Sequence, residues 1–214
     1  MSNVRIGFSP TFTAGMYYGS DVVMNTFTVD IQLMTKSLEH RNQNIALDRA
    51  KYIIYEQFSD SILLGKDDAN LREKYENAGF NVILLPEEMG DQTVCLALFT
   101  KIEAVLEDQM EILDISLRSS FGGGVSYLHN QDESVGPFED KGWWNQNTPL
   151  CSTAKVTKKK VVTLDNPTWK SVNLEWKNSS DPEEIVVEVK LEKQAEKVDI
   201  TGENIVELRP NDKK

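Results

Sequence analysis

Residues 25–35 read NTFTVDIQLMT, in which Phe27, Val29, Ile31 and Leu33 alternate with Thr28, Asp30 and Gln32. A period of two puts the apolar set on one face and the polar set on the other, the pattern of a strand laid on a core with its back to water. Upstream, VRIGFS at 4–9 predicts a shorter strand. TAGMYYGSD at 13–21 carries Gly15, Gly19 and Asp21 as turn formers, so the two strands are expected to pair as an antiparallel hairpin with a long loop.

Downstream, the period changes. Over 44–58, NIALDRAKYIIYEQF places Ala46, Leu47, Ala50, Ile53, Ile54 and Phe58 at helical spacing. A second helix is expected from Asp91, its capping residue, with Cys95, Leu98, Phe99, Ile102, Val105 and Leu106 as the apolar stripe. Between them lie the apolar run SILLG (61–65), a polar helix around DDANLREKYENAG ended by Gly79, and a buried strand in FNVILLP (80–86). ILDISLR (112–118) alternates again, and the glycines at 122–124 lead to a partner strand, VSYLH, which closes a second hairpin.

Residues 130–151, NQDESVGPFEDKGWWNQNTPLC, have no period, yet Phe138, Trp143 and Trp144 are too apolar to leave in water. An ordered loop is expected, packed as a clasp or serving as the anchor of a partner interface. Beyond it the pattern is of strands only: KVTKKKVVTL, SVNLEW, EIVVEVKL and short pieces near VDI and NIVELR. The expected fold is α+β, an antiparallel sheet of two hairpins with two long helices on one face, followed by a small all-β module. The expected division is an acidic α+β domain over 1–129, an aromatic loop over 130–151 and the β module over 152–214.

Composition narrows the function. The 214 residues carry a net charge of −11, and residues 1–151 hold 11 Lys+Arg against 22 Asp+Glu whereas 152–214 hold 12 of each. The whole excess sits in the first part. Nucleic-acid binding draws its affinity from cations that release counterions, so an acidic surface argues against it and leaves a basic protein surface as a partner. No apolar run approaches the length of a membrane span, and MSNVRIGFSP lacks the features of a secretory signal, so a cytoplasmic protein is expected. Two histidines, His40 and His129, and two distant cysteines, Cys95 and Cys151, match no metal or disulfide spacing; no cofactor or metal is expected.

The order of hairpin, helix, intervening segment, helix and hairpin resembles the tunnelling fold of pterin and 7-deazapurine enzymes, and the wording is similar to its 6-pyruvoyltetrahydropterin synthase-like branch. FSPTF (8–12) sits where that family has a strand ending in a zinc-binding histidine. MNTFTVDIQL (24–33) resembles the second strand, which a His-x-His pair introduces. LPEEMGDQTVCLALFTKIEAVL (85–106) is similar to the segment opening the second long helix, and ILDISLRSSFGGGVSYL (112–128) to the closing hairpin. The resemblance covers roughly residues 4–128. It implies a homo-oligomer sharing a sheet between copies through the second strand and the closing hairpin, and a ligand pocket at the subunit interface near Asp30 and Arg118.

The departures from the family are chemical. Phe12 or a neighbour replaces the first zinc ligand and the Val22–Met24 stretch replaces the pair, and apolar side chains cannot coordinate zinc. Arg118 stands near the position of the family's ligand-anchoring glutamate, a reversal of sign where a guanidine-like ring edge should be held. The resemblance therefore implies a copy without the parent catalysis. YYGSDVVMNTFTVD and SVGPFEDKGWW also resemble proteins of T4-like tailed bacteriophages, which implies an origin and no activity.

Other groups have structural explanations. Asp132, Glu133, Glu139 and Asp140 do not have EF-hand spacing and read as a solvated loop. Glu87 and Glu88 precede a helix start, where negative charge is favoured. FGGGVS lacks the Lys-Ser/Thr of a P-loop. Cys95 lies on an apolar stripe, His129 has no nameable partner, and Lys158–Lys160 read as protection of a strand edge. The expected function is a non-catalytic interaction or assembly protein, as a phage accessory or virion component, oligomerising through its first domain. The alternative is a binder or metal-independent enzyme for a purine- or pterin-like molecule.

Overall fold

The computed structural model describes residues 4–37, 39–149 and 167–177, all within the compact unit Met1–Ser179; the second unit, Ser180–Lys214, lies outside the described residues. The period-two stretch is the middle of the sheet. β1 (Arg5–Phe8) and β2 (Thr11–Tyr18) both pair antiparallel with β3 (Asp21–Thr35), and one register runs from Arg5↔Met34 through Thr11↔Thr28 to Tyr18↔Asp21. They form one long hairpin, interrupted at Ser9–Pro10, where proline has no N–H to donate. The turn is tight, with Gly19 at φ +63.

The long loop expected over 13–21 is therefore mostly strand. Gly15 is a strand residue: a Cβ there would lie 2.6 Å from Val22 Cγ1, so glycine is what lets the valine lie across β2.

α1 (His40–Tyr52) runs on into a π-helical turn, Ile53–Phe58. β4 (Ile62–Leu64) adds parallel to β2. After a 3₁₀ turn, Lys66–Leu71, comes α2 (Arg72–Asn77), which ends before Gly79 at φ +92. β5 (Val82–Leu84) lies parallel to β4. α3 (Asp91–Leu106) is capped by Gly90 rather than by Asp91, whose carboxylate instead accepts a 2.6 Å hydrogen bond from Ser119 Oγ. β6 (Met110–Ser119) pairs with β3, and β7 (Ser126–Asn130) with β6, giving the order β5-β4-β2-β3-β6-β7 with β1 on β3. Both edges of β3 are bonded within the chain, so of the two elements expected to extend a sheet between copies, only the closing hairpin has an edge left open among the described residues.

α1 and α3 cover the face formed by Phe12, Met16, Phe27, Val29, Ile31, Leu33, Ile112, Ile115 and Leu117. Phe12 stacks on Phe27 at 5.0 Å between centroids and meets the edge of Phe58 at 6.0 Å. α2 packs on the other face, where Leu71 and Tyr75 lie against Ile62, Leu64 and Val82. No helix among the described residues is long and apolar enough to cross a membrane.

α3 is buried almost all round, including Lys101 at 0% exposure. The covering is the aromatic loop. Lys101 Nζ donates to Trp143 O (3.1 Å) and Gln146 O (2.7 Å), while Trp143 Nε1 donates to Leu84 O (2.9 Å). Trp144 Nε1 donates to Phe138 O and Asp140 O, and the Phe138 and Trp143 rings meet Trp144 edge-on at 5.4 and 5.7 Å.

Arg49 of α1 makes a second anchor. Its guanidinium carbon lies 3.6 Å from the Trp176 ring centroid and 4.6 Å from that of Trp169. Its nitrogens donate to Leu174 O (2.8 Å) and Glu107 Oε1 (3.0 Å). Trp169 Nε1 donates to Asn147 Oδ1 at 2.8 Å, which joins the end of the loop to this segment. SVNLEW is accordingly turn and irregular chain instead of the expected strand: Leu174 O and Lys177 are bonded to Arg49 and Asn42 of α1, and Asn173 turns the chain at φ +58. The expected strands in KVTKKKVVTL, EIVVEVKL, VDI and NIVELR lie outside the described residues, as do Cys151 and Lys158–Lys160.

Two outcomes are expected from this packing. Lys101→Ala removes one of the two donors of Trp143 O and one of the two donors of Gln146 O, and should cost about 3 kcal/mol, roughly 6–12 °C in Tm, whereas Lys51→Ala, which removes an exposed pair with Asp48, should shift the melt by about 1 °C or less. Replacing Trp143 and Trp144 together by alanine should lower Tm by roughly 10 °C, through lost ring burial and the loss of the indole donors. Differential scanning calorimetry checks both, and an unchanged melt in the double variant would refute the clasp.

Candidate functional site

The polar face of the sheet holds the two residues expected to bind a ligand. Register pairs Thr28 with Arg118 and Asp30 with Ser116, so Asp30 and Arg118 share the face opposite α1 and α3 on adjacent strands, diagonal to each other. Arg118 is exposed and Asp30 half-buried, and no ion pair joins them among the described residues. Neither lines either of the two cavities described below.

A cavity of about 400 Å³ opens at the turn end of β2. Its walls include Tyr17, Tyr18, Asp67, Asp68, Glu88 and Met89. Loss of water contact, and then the negative charge of Asp68 beside Tyr17 and of Asp91 beside Tyr18, raises both phenols above their ordinary value. They are neutral hydrogen-bonding rims, and the charge of the cavity is that of its three carboxylates. A cation or a basic side chain is the complementary occupant. Sequence reading missed this grouping and placed Glu88 at a helix start. The walls come from a strand end, a 3₁₀ turn and the approach to α3, which only the parallel pairing of β2 with β4 brings together.

A second cavity, about 220 Å³, is bounded by Gln92, Cys95, Tyr127, His129, Glu133 and Ser134. Here the structure gives His129 the partner that spacing alone did not name: Nδ1 lies 3.5 Å from Glu133 Oε2. Burial holds the imidazole below its ordinary value, and Glu133 opposes that shift. Burial also pushes the Cys95 thiol up to about 12, and its Sγ contacts Tyr127 O at 3.8 Å. Burial thus favours the protonated thiol at neutral pH, the form that is a poor nucleophile. No group of three or more His, Cys, Asp or Glu side chains that could hold a metal ion occurs among the described residues.

Phe138, Trp143 and Trp144 are buried against the chain itself. Of the acidic loop residues, Glu133 faces His129 and Glu139 accepts from Ser134 Oγ at 2.6 Å. The glycines at 123 and 124, at φ +60 and +85, make the hairpin turn after β6. Asn25 Oδ1 ties that turn down, accepting from Ser120 Oγ (2.8 Å) and Phe121 N (3.3 Å).

No protein-family model matches the chain, and no curated protein matches it. Among solved structures it is similar to an uncharacterized protein from Wolinella succinogenes, at 8% identity and a TM-score of 0.46. It is also similar to the 6-pyruvoyltetrahydropterin synthase of Plasmodium vivax, at 6% and 0.40, and to that of Plasmodium falciparum, at 8% and 0.39. Each match covers 61% of this chain and 99% of the other.

Proposed function

We propose that the chain is a non-catalytic interaction protein that self-associates through its α+β region. The supporting observation is the open edge of the closing hairpin. Among the described residues β7 is bonded on one side only, and Leu128 on it is 75% exposed, with Phe121 (65%) and Val125 (52%) in the adjoining turn. An unpaired edge flanked by exposed apolar side chains is a template for another strand, and soluble chains rarely leave one uncovered. A second copy is the occupant in this reading, because the hairpin resembles the element through which tunnelling-fold proteins share their sheets.

In the same reading residues 1–129 are the associating domain, 130–151 the aromatic clasp, and the chain beyond 152 a module whose residues 167–177 dock on α1. The acidic cavity at Tyr17 and Asp68 favours a basic protein surface as a further partner. An accessory or virion-associated role in a tailed bacteriophage is the setting, supported by the resemblance of the first hairpin and the aromatic loop. A cytoplasmic site, in the host, goes with it.

Light scattering at micromolar concentration should report a homo-oligomer. Leu128→Lys, at an exposed position where the fold loses little, should give a smaller species with an unchanged melt. A monomeric wild-type chain would overturn the reading. Melting should be unaffected by a panel of purines and pterins; a rise of several degrees with one of them would favour the small-molecule alternative near Asp30 and Arg118.

A further inference from the structure

His129 projects from β7, the outermost strand, toward α3. Its ring meets Phe99 edge-on, with centroids 4.4 Å apart and planes at 78°. The residue is 6% exposed, and Nε2 has no hydrogen-bond partner among the described residues. Glu133 Oε2, 3.5 Å from Nδ1, assigns the neutral tautomer: the hydrogen sits on Nδ1 and Nε2 is a bare acceptor inside the protein.

A second proton would have to go on Nε2, where no oxygen waits to receive the N–H, and it would bring a full charge against the Phe99 ring. Glu133 offsets this only in part. Its side chain is 53% exposed, and Oε2 already accepts from Asn130 N at 3.1 Å. From α3 the titratable group at this cavity is the Cys95 thiol, which burial keeps protonated; from β7 it is the phenol of Tyr127; β6 presents Ile115 opposite His129. Among the described residues Glu133 is therefore the charge that acts on the imidazole.

We propose that His129 is an acid-sensitive latch: protonation of its imidazole releases β7 and the turn that follows it from α3. The direction follows from which state binds the proton more weakly. The folded chain disfavours the imidazolium, so the latch is at full strength above the ordinary imidazole value of 6.5 and is lost progressively as pH falls below it. The inference is read within one chain and does not depend on self-association at β7.

Hydrogen exchange with mass spectrometry tests it, with rates at pH 7.5 and pH 5.0 each normalised to the unstructured rate at that pH. Protection of peptides spanning 126–134 should fall at pH 5.0 by roughly tenfold, within a ceiling of about thirtyfold for a group titrating at 6.5 when free. Peptides within β3 should keep their protection. The loss should be the same at two protein concentrations, which separates local opening from dissociation of an assembly. His129→Gln should abolish the response; Glu133→Gln should leave its onset near 6.5 and enlarge it, since only the attraction favouring the imidazolium is removed. Equal protection of 126–134 at both pH values would overturn the proposal, as would an acid response that persists in His129→Gln. Should that variant fail to fold, a proton NMR titration of His129 in the wild-type chain decides: a midpoint below 6.5 supports the latch, and one at or above 6.5 overturns it.

Discussion

An ammonium group with no access to water must find its hydrogen-bond acceptors in the protein, and Lys101 finds Trp143 O and Gln146 O. That requirement organises the outer layer of the molecule. Holding those two carbonyls sets the path of the loop across α3, which brings the Trp143 indole to Leu84 O and within 6.2 Å of Phe58. Arg49, 2% exposed, does the same for α1: its charge is answered by Glu107 and a backbone carbonyl, and its flat faces by Trp169 and Trp176. Desolvation works against the guanidinium charge and Glu107 restores it, so the anchor depends on both partners.

The aromatic loop covers the outer side of α3, so the apolar surface left in water lies elsewhere. Part of it, Phe121, Val125 and Leu128 of the closing hairpin with Met24 at the start of β3, lies toward one end of the sheet, while Val4, Tyr55 and Phe80 are exposed in other elements. The same end carries the carboxylate-lined cavity beside Tyr17 and Tyr18. The thiol of Cys95 is kept protonated by the burial that places it in the core.

What could be read before folding follows physical range. Alternation in 25–35 and 112–118 placed the two central strands, and helical spacing in 44–58 and after Asp91 placed the two long helices, because burial on one face imposes a period on the residues themselves. Errors arose where a residue's local preference was overridden by a neighbour far along the chain. Gly15 looked like a turn former and proved to be room for Val22, while SVNLEW looked like a strand and proved to be held by Arg49 and Asn42. Lys101 carried no signal at all, since a lysine within an amphipathic helix reads as a solvated charge until the loop that buries it is in place.

The sequence by itself determined the α+β class, the segregation of acidic charge into the first 151 residues, and the need for Phe138, Trp143 and Trp144 to find cover. Each of these depends on composition or on spacing within a few turns of chain. Only the tertiary structure decided that β3 has both edges taken and that β7 has one edge open among the described residues, that Asp30 and Arg118 share a face without an ion pair, and that His129 sits between Phe99 and Glu133. Strand order and the company of a buried polar group are set by which distant segments pack together, and no local period encodes that choice.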